Sequence, residues 1–280
     1  MGNLYGVIGC PISHSMSPDI HNHAFHVLKI DSHYHAFHIE KEQLSDAVNS
    51  LKLLGVKGYN VTIPHKVAII PYLDELDETA RIAGAVNTVV NDDGKLIGYN
   101  TDGNGYMQSL LGLLERPINE YNMLIIGAGG AAKGIYYTLA YNGCINLDIA
   151  NRTITKAEDL INNCPFDNNS MAITLEEAEL KLEKYDIIIQ TTAVGLHPNI
   201  DEKPLSLKNA KKSAIVSDIV YNPIKTALLK EAEQSQLTIH NGVGMFVHQA
   251  AIAFSLWTGQ TPPINEMTDI VYKKLGGKSC

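Results

Sequence analysis

The chain has 280 residues, 45% of them hydrophobic, enough for more than one core, so two domains are the first expectation. Its formal net charge of −8 excludes a general affinity for nucleic acid or anionic membrane, and an anionic ligand has to be caught by local geometry. No apolar run reaches the ~18 residues a bilayer-spanning helix needs: the stretch Val247 to Trp257 is broken by His248, Gln249 and Ser255, and the first residues carry no secretory pattern, so a soluble cytoplasmic protein is expected.

Leu4 to Ile8 reads as a strand, and Ser17-Pro18 as the start of a helix running to about Leu28. A second strand is expected over Tyr34 to Ile39, followed by a helix from about Lys41 to Leu54. A third strand covers Tyr59 to Ile63, and Pro64 is expected to open another helix. Val86 to Asn91 and Lys95 to Tyr99 flank Asp92-Asp93-Gly94, a hairpin signal. From Thr101 the character changes. Thr101 or Asp102 can cap a helix with Tyr106, Leu110 and Leu114 on one face. The apolar strand Met123 to Ile126 then runs into Gly127-Ala128-Gly129-Gly130-Ala131-Ala132 and a helix with Ala131, Ile135 and Leu139 on one stripe. A strand Leu147 to Ala150, a helix around Ala157 to Ile161, and strands Ile187 to Gln190 and Ile215 to Asp218 complete the pattern. Such alternation means a parallel sheet with right-handed crossovers.

Gly127, Gly129 and Ala132 form G-x-G-x-x-A between strand and helix. The first glycine permits the turn, the second lets a pyrophosphate approach the backbone, and the small third residue lets helix and strand pack closely. At the end of the next strand an NAD site usually carries a carboxylate for the ribose 2′-hydroxyl. Here Asn151-Arg152-Thr153 stands instead, with Lys156 four residues beyond Arg152. A guanidinium grips a 2′-phosphate that a carboxylate would repel, so NADP is the expected cofactor.

In the first hundred residues, short polar groups gather at strand ends: Ser13 and Ser15 after the first, Asn60, Thr62 and Lys66 at the third, then Asn87 and Asp102. Hydroxyls, carboxamides and one ammonium suit a small polyhydroxylated substrate, because each buried hydroxyl needs a partner. Taken singly, each residue has a plainer role open to it. Lys66 reads as a solvated lysine, Asp102 as a helix cap, Ser13 and Ser15 as turn hydroxyls, and Gln249 as a core amide.

An ordered set of motifs outweighs these plainer roles. Ser13-His-Ser-Met-Ser-Pro18, Gly58-Tyr-Asn-Val-Thr-Ile-Pro-His-Lys66, Gly84-Ala-Val-Asn-Thr88, Gly98-Tyr-Asn-Thr-Asp-Gly103, the glycine loop, Asn151-Arg-Thr153, Asp218-Ile-Val-Tyr-Asn-Pro223 and Asn241-Gly-Val-Gly-Met245 with Gln249 cover nearly the whole chain. Together they resemble the shikimate dehydrogenase family. The resemblance implies an α/β fold of two domains: an N-terminal α/β substrate domain over 1–101, with 245–280 returning to it, and a Rossmann-type doubly wound NADP-binding domain over 102–244. It implies reversible NADPH-dependent reduction of 3-dehydroshikimate to shikimate, in chorismate and aromatic amino-acid biosynthesis, by a monomer or homodimer. Carried over by position, Ser13, Ser15 and Tyr221 would bind the substrate carboxylate, and Asn60, Thr62, Asn87 and Gln249 its hydroxyls. Lys66 and Asp102 would be the catalytic pair. Gly127, Ala128, Gly129, Gly130 and Ala131, with Asn151, Arg152, Thr153 and Lys156, would bind NADP, and Thr191, Ile219, Gly242 and Met245 would surround the nicotinamide. Ala193 departs from the family's usual serine.

Two rival enzymes share much of this pattern: a quinate/shikimate dehydrogenase indifferent to NAD or NADP, and another lysine-dependent NADP enzyme such as a methylenetetrahydrofolate dehydrogenase. Arg152 speaks against the first and the Ser13/Ser15 loop against the second. A cofactor-sensing module without chemistry is disfavoured by the presence of both Lys66 and Asp102. The cysteines Cys10, Cys144, Cys164 and Cys280 form no C-x-x-C pair, and plain thiols of a reducing cytoplasm are expected. Seven of the eleven histidines fall between His14 and His38, but no H-E-x-x-H pattern accompanies them, and no metal is expected.

Overall fold

Strand β1 (Asn3–Gly9) is buried from its third residue on and pairs on both sides, parallel to β2 (Ser32–His38) and to β3 (Gly58–Val61). A computed structural model of the chain describes residues 2–276 and divides into two compact units, one running to Asp102 and including Val247–Lys274, the other spanning Gly103–Phe246. The last residues of the chain, with Cys280, lie outside the described residues.

In the first unit, helix α1 (Ser17–Val27) follows β1, and α2 (Leu44–Leu53) follows β2 after a short 3-10 turn at Lys41–Gln43. The cap of α1 is Met16, so Pro18 sits inside the first turn, one place later than expected. Pro64 does not open a helix. The chain runs through turns to a single 3-10 turn, Ile70–Tyr72, because Pro71 lacks the N–H that an eight-residue helix from Pro64 would need and its ring would clash with the preceding turn. Then come β4 (Glu75–Leu76), α3 (Glu78–Ala83), β5 (Thr88–Asp92) and β6 (Lys95–Tyr99). The β5–β6 hairpin turns at Asp93 (φ 47°) and Gly94 (φ 97°), two left-handed residues matching a tight primed turn. The hairpin makes the sheet mixed, with strand order β2-β1-β3-β5-β6-β4 and β5 antiparallel to both neighbours. The ends of β1, β2, β3 and β6 and the beginning of β5 therefore share one edge.

Helix α4 (Asp102–Leu111) starts on the last residue of the first unit's N-terminal stretch and otherwise belongs to the second; Tyr106 and Leu110 are buried while Leu114 lies beyond the helix. The second unit continues with β7 (Met123–Ile126), α5 (Gly130–Tyr141), β8 (Leu147–Ala150), α6 (Ile154–Asn162), β9 (Ala172–Ile173), α7 (Leu175–Leu180), β10 (Ile187–Gln190), β11 (Ile215–Asp218), α8 (Ala227–Gln234) and β12 (Thr238–His240). Every pairing is parallel, in the order β12-β11-β10-β7-β8-β9. Numbered within the unit this is 6-5-4-1-2-3, the doubly wound dinucleotide-binding order, and its switch point lies between β7 and β10. On α5 the buried small residue is Ala132, not Ala131: its stripe runs Ala132, Ile135, Tyr136 and Leu139.

Helix α9 (Gly242–Thr258) begins in the second unit and ends in the first, where Trp257 Nε1 donates to the Val89 carbonyl at 3.0 Å. Helix α10 (Ile264–Lys274) is tied to α1 by a His23–Glu266 hydrogen bond (2.7 Å) and a Lys274–Asp19 ion pair (2.5 Å). Among the described residues no helix is long and apolar enough to cross a membrane.

His21 on α1 is fully buried, stacked on Tyr34 with ring centroids 4.4 Å apart and with Trp257 at 5.3 Å, and neither ring nitrogen has a hydrogen-bond partner. Burial pushes its pKa down from 6.5 to about 3. The unfolded chain thus takes up a proton near pH 6.5 that the folded chain refuses until about pH 3. Its contribution to stability is complete above pH 6.5 and lost as the pH falls towards 3. The loss reaches a few kcal/mol at the limit, since each tenfold change in proton affinity is worth roughly 1.4 kcal/mol. A His21→Phe variant, unfolded in denaturant across this range, is expected to gain stability relative to the parent as the pH drops. A constant difference would contradict the buried neutral ring.

Candidate active site

The antiparallel insertion of β5 builds the polar site of the first unit. Register sets Asn60 opposite Thr88, and Thr88 opposite Tyr99, so Asn87, at the start of β5, meets the chain just beyond β6. Asn87 Nδ2 donates to Asp102 Oδ1 at 2.8 Å and to Thr101 Oγ1 at 2.9 Å, while its Oδ1 accepts from the Thr101 N–H at 2.8 Å. Asp102 Oδ2 accepts from Lys66 Nζ at 2.6 Å. Both partners are part-buried, with side chains 32% and 21% exposed, so the pair is partly shielded from solvent and still accessible.

Lys66 sits on a turn, anchored where the sequence offered no hint. His65 is fully buried and its Nε2 lies 2.7 Å from the Ile39 carbonyl, which makes that nitrogen the protonated one. The Lys66 carbonyl itself accepts from Val86 N–H at 2.7 Å. A long flexible side chain thus springs from a backbone held at two points. Asn60 is equally committed: its Oδ1 accepts from Tyr34 OH at 2.7 Å and its Nδ2 donates to the Asn87 carbonyl and to Thr88 Oγ1. Thr62 is half-buried just past β3. Ser13 is exposed and Ser15 half-buried in the loop between β1 and α1, where the Ser15 N–H bonds the Ile12 carbonyl. Gln249 lies on α9 within the same unit. Tyr34 and His65 were missed in sequence because each acts through a contact with a distant strand.

In the second unit, the turn after β7, the end of β8 and the end of β10 line one cavity of about 310 Å³. Gly127, Ala128 and Gly129 form one wall, Asn151, Arg152, Thr153 and Lys156 another, and Thr191, Thr192 and Ala193 a third. Gly127 has φ +113°, and a Cβ there would meet Thr191 Oγ1 at 2.7 Å and Thr192 Cγ2 at 2.9 Å. Around Gly129 and Gly130 a Cβ would meet nothing within 4 Å, so their backbone is bare towards open space at the start of α5. Exposed Arg152 and Lys156 stay outside the ion pairs formed among the described residues, and Asn151 Nδ2 braces the turn by bonding the Thr153 carbonyl at 2.8 Å. Bare amides at a helix start beside two uncommitted cations fit a phosphorylated dinucleotide. Gly127→Ala is expected to cost about 1–3 kcal/mol in denaturant unfolding, from strained φ plus the Thr191 clash. A neutral result would mean that the turn adapts.

The remaining predicted residues cluster around Asp218, which sequence reasoning left without a role. This buried carboxylate accepts from Thr226 Oγ1 at 2.6 Å and from the Val220 N–H at 3.0 Å, and burial lifts its pKa to about 6. It shapes the segment that carries Ile219 and Tyr221. Gly242 rests on the Ile219 carbonyl so closely that any Cβ would collide with it, and half-buried Met245 follows on the first turn of α9. Tyr221 packs against Phe246 with ring centroids 4.9 Å apart and planes tilted by 35°, and burial raises the pKa of its phenol. An Asp at the end of the buried strand Ile215–Asp218 was the available signal for this cluster.

A doubly wound sheet with a glycine turn and cationic cavity, carried in one chain with a lysine–carboxylate site, defines a dinucleotide-dependent oxidoreductase. The comparisons narrow the class. Residues 7–89 match the shikimate dehydrogenase substrate binding domain, 112–235 the shikimate/quinate 5-dehydrogenase model, and 242–272 the shikimate 5′-dehydrogenase C-terminal domain. The shikimate dehydrogenase (NADP(+)) of Bacillus subtilis (strain 168) is 55% identical over the full length of both chains. A shikimate dehydrogenase solved with NADP+ is 40% identical with a TM-score of 0.90, covering 98% of this chain and 96% of that one. The Listeria monocytogenes shikimate 5-dehydrogenase solved with shikimate and NAD is 38% identical, TM-score 0.91, covering 97% and 96%. The chain belongs to the shikimate dehydrogenase family.

Proposed function

We propose that this protein is an NADP-dependent shikimate dehydrogenase that reversibly reduces the ring ketone of 3-dehydroshikimate, serving chorismate and aromatic amino-acid biosynthesis. The observation that carries the reading is the Lys66–Asp102 pair, oriented by Asn87 at the strand edge where the polar residues gather. NADPH, when bound, supplies a hydride from nicotinamide C4 to the ketone carbon. Lys66 Nζ gives its proton to the ketone oxygen as that oxygen becomes an alkoxide, and takes it back in the oxidative direction. Asp102 holds the ammonium on its bearing and balances its charge, and Asn87 holds Asp102.

Ser13, Ser15 and Tyr221 are assigned to the substrate carboxylate. Thr62, Gln249, Asn60 and Asn87 are assigned to its hydroxyls, the two asparagines serving also as braces because their amides are engaged within the protein. Gly127 to Ala131 are assigned to the pyrophosphate, Asn151 to Lys156 to the 2′-phosphate, and Thr191, Ile219, Gly242 and Met245 to the nicotinamide. The first unit is then the substrate domain and the second the NADP domain. The free thiols Cys10, Cys144 and Cys164 go with a reducing, cytoplasmic setting, and a monomer or homodimer is the quaternary state proposed. Purified protein mixed with NADP and shikimate should raise the NADPH absorbance band. A flat trace under conditions where the protein is folded would leave a cofactor-binding module without this chemistry.

A further inference from the structure

A second group of chemically capable side chains lies at the same sheet edge and takes no part in this mechanism. Cys10 Sγ is 3.5 Å from His38 Nε2 and 3.3 Å from Glu40 Oε2, and His38 Nε2 is 3.0 Å from Glu40 Oε1. The sheet puts them there. Gly9 is the register partner of His38, the Ile39 N–H bonds the Gly9 carbonyl at 3.1 Å, and the Cys10 N–H bonds the Ile63 carbonyl at 3.0 Å. His38 and Glu40, two apart on extended chain, turn to one side. The ligand pattern is invisible in sequence because Cys10 and His38 are 28 residues apart.

Thiolate, imidazole and carboxylate are the donor set of zinc. Bonds of about 2.3 Å to sulfur, about 2.0–2.1 Å to nitrogen and about 2.0–2.2 Å to oxygen, at tetrahedral angles, separate sulfur from nitrogen or oxygen by about 3.6 Å and nitrogen from oxygen by about 3.4 Å. The Sγ–Nε2 separation observed here, 3.5 Å, matches its edge; Sγ and Nε2 meet different Glu40 oxygens, at 3.3 and 3.0 Å, and one donor atom from each residue lies within 4.8 Å of the other two, so a small turn of the carboxylate presents one oxygen to both. We propose that Cys10, His38 and Glu40 form an exchangeable site for a thiophilic divalent cation, Zn²⁺ being the best match. The cation displaces the Cys10 thiol proton to solvent and takes the neutral His38 Nε2 and one Glu40 oxygen. Three protein ligands leave a fourth position for water, and the half-exposed His38 and Glu40 leave the way in open.

The site has a functional consequence. Cys10 begins the loop from β1 to α1 that carries Ser13 and Ser15, so a metal joining it to the end of β2 ties down that loop. Occupancy then alters the KM for shikimate and leaves the KM for NADP alone. This consequence rests on assigning Ser13 and Ser15 to the substrate; the metal site does not.

Titration of metal-free protein with Co²⁺ under anaerobic conditions separates the two. One equivalent should produce a thiolate-to-cobalt charge-transfer band and strong four-coordinate d–d bands. Cys10→Ser should abolish the charge-transfer band and Cys164→Ser should keep it. His38→Gln and Glu40→Gln should weaken binding by at least the ~10–100-fold that loss of an outer-shell partner costs. All three ligand variants should retain the metal-free dehydrogenase activity of the parent, showing an intact fold. No charge-transfer band, or binding undiminished in both His38→Gln and Glu40→Gln, overturns the site. A zinc-loaded enzyme with unchanged shikimate KM, despite a normal cobalt spectrum, overturns the regulatory consequence alone.

Discussion

Lys66→Ala is expected to lower kcat for shikimate oxidation and for the reverse reduction by ~10²–10⁴-fold, the usual worth of a positioned general acid or base. Affinity for NADP, measured by cofactor fluorescence or calorimetry, should stay near that of the parent, because Lys66 lies in the first unit and the cofactor cavity in the second. The prediction follows from the geometry of the pair. A 2.6 Å contact to Asp102 fixes the ammonium, and Asn87 at 2.8 Å fixes Asp102 in turn. A carboxylate held from two directions cannot swing away when substrate enters, so the proton is delivered along a set direction. Asp102→Asn keeps the shape but removes the charge that Lys66 leans on, and a loss of similar order is expected from it. Turnover within ~tenfold of the parent for the lysine variant, in protein of normal stability, would remove Lys66 from the chemistry.

Arg152→Ala is expected to reduce the preference for NADP over NAD by about 10–150-fold in kcat/KM, the equivalent of one charge-assisted bond of roughly 1.5–3 kcal/mol. The loss should fall on NADP, with the NAD reaction little changed or improved. Arg152 is exposed on the cavity wall with Lys156 nearby, so salt screens the interaction and the lower end of the range belongs to physiological ionic strength. Lys156→Ala should give a smaller effect, since an ammonium is a point charge without the bidentate fork. If both variants discriminate between the cofactors as the parent does, the 2′-phosphate is held elsewhere.

Local signals in the chain carried most of the second unit. An apolar strand running into Gly127-Ala-Gly and a small-faced helix allow few structures, because bare backbone and close packing leave little freedom. Asn151-Arg152, standing where an NAD site usually carries a carboxylate, was the signal for NADP. Errors arose where local and distant demands compete. Pro64 looked like a helix start, and Pro71 seven residues later forbids the helix. The helical stripe pointed to Ala131 and the glycine motif to Ala132 as the packing residue, and it is Ala132 that is buried.

In the first unit, residue types were readable and their grouping was not. Ser13, Asn60, Lys66, Asn87 and Asp102 are separated along the chain by loops and strands of no fixed direction. Motif order could nominate them, but only the antiparallel placement of β5 brings Asn87 to Asp102 and Asn60 to Asn87. The same holds for His65 under Ile39, for Asp218 under Thr226 and for Cys10 beside His38 and Glu40. By itself the sequence determined the fold class and the glycine turn, set by periodicity and by neighbours a few residues away, and it nominated the proposed reactive side chains only through the resemblance of its ordered motifs to a family. The tertiary structure alone decided which side chain braces which. Hydrogen bonds act over about 3 Å of space, and which distant residues come that close depends on strand order and direction.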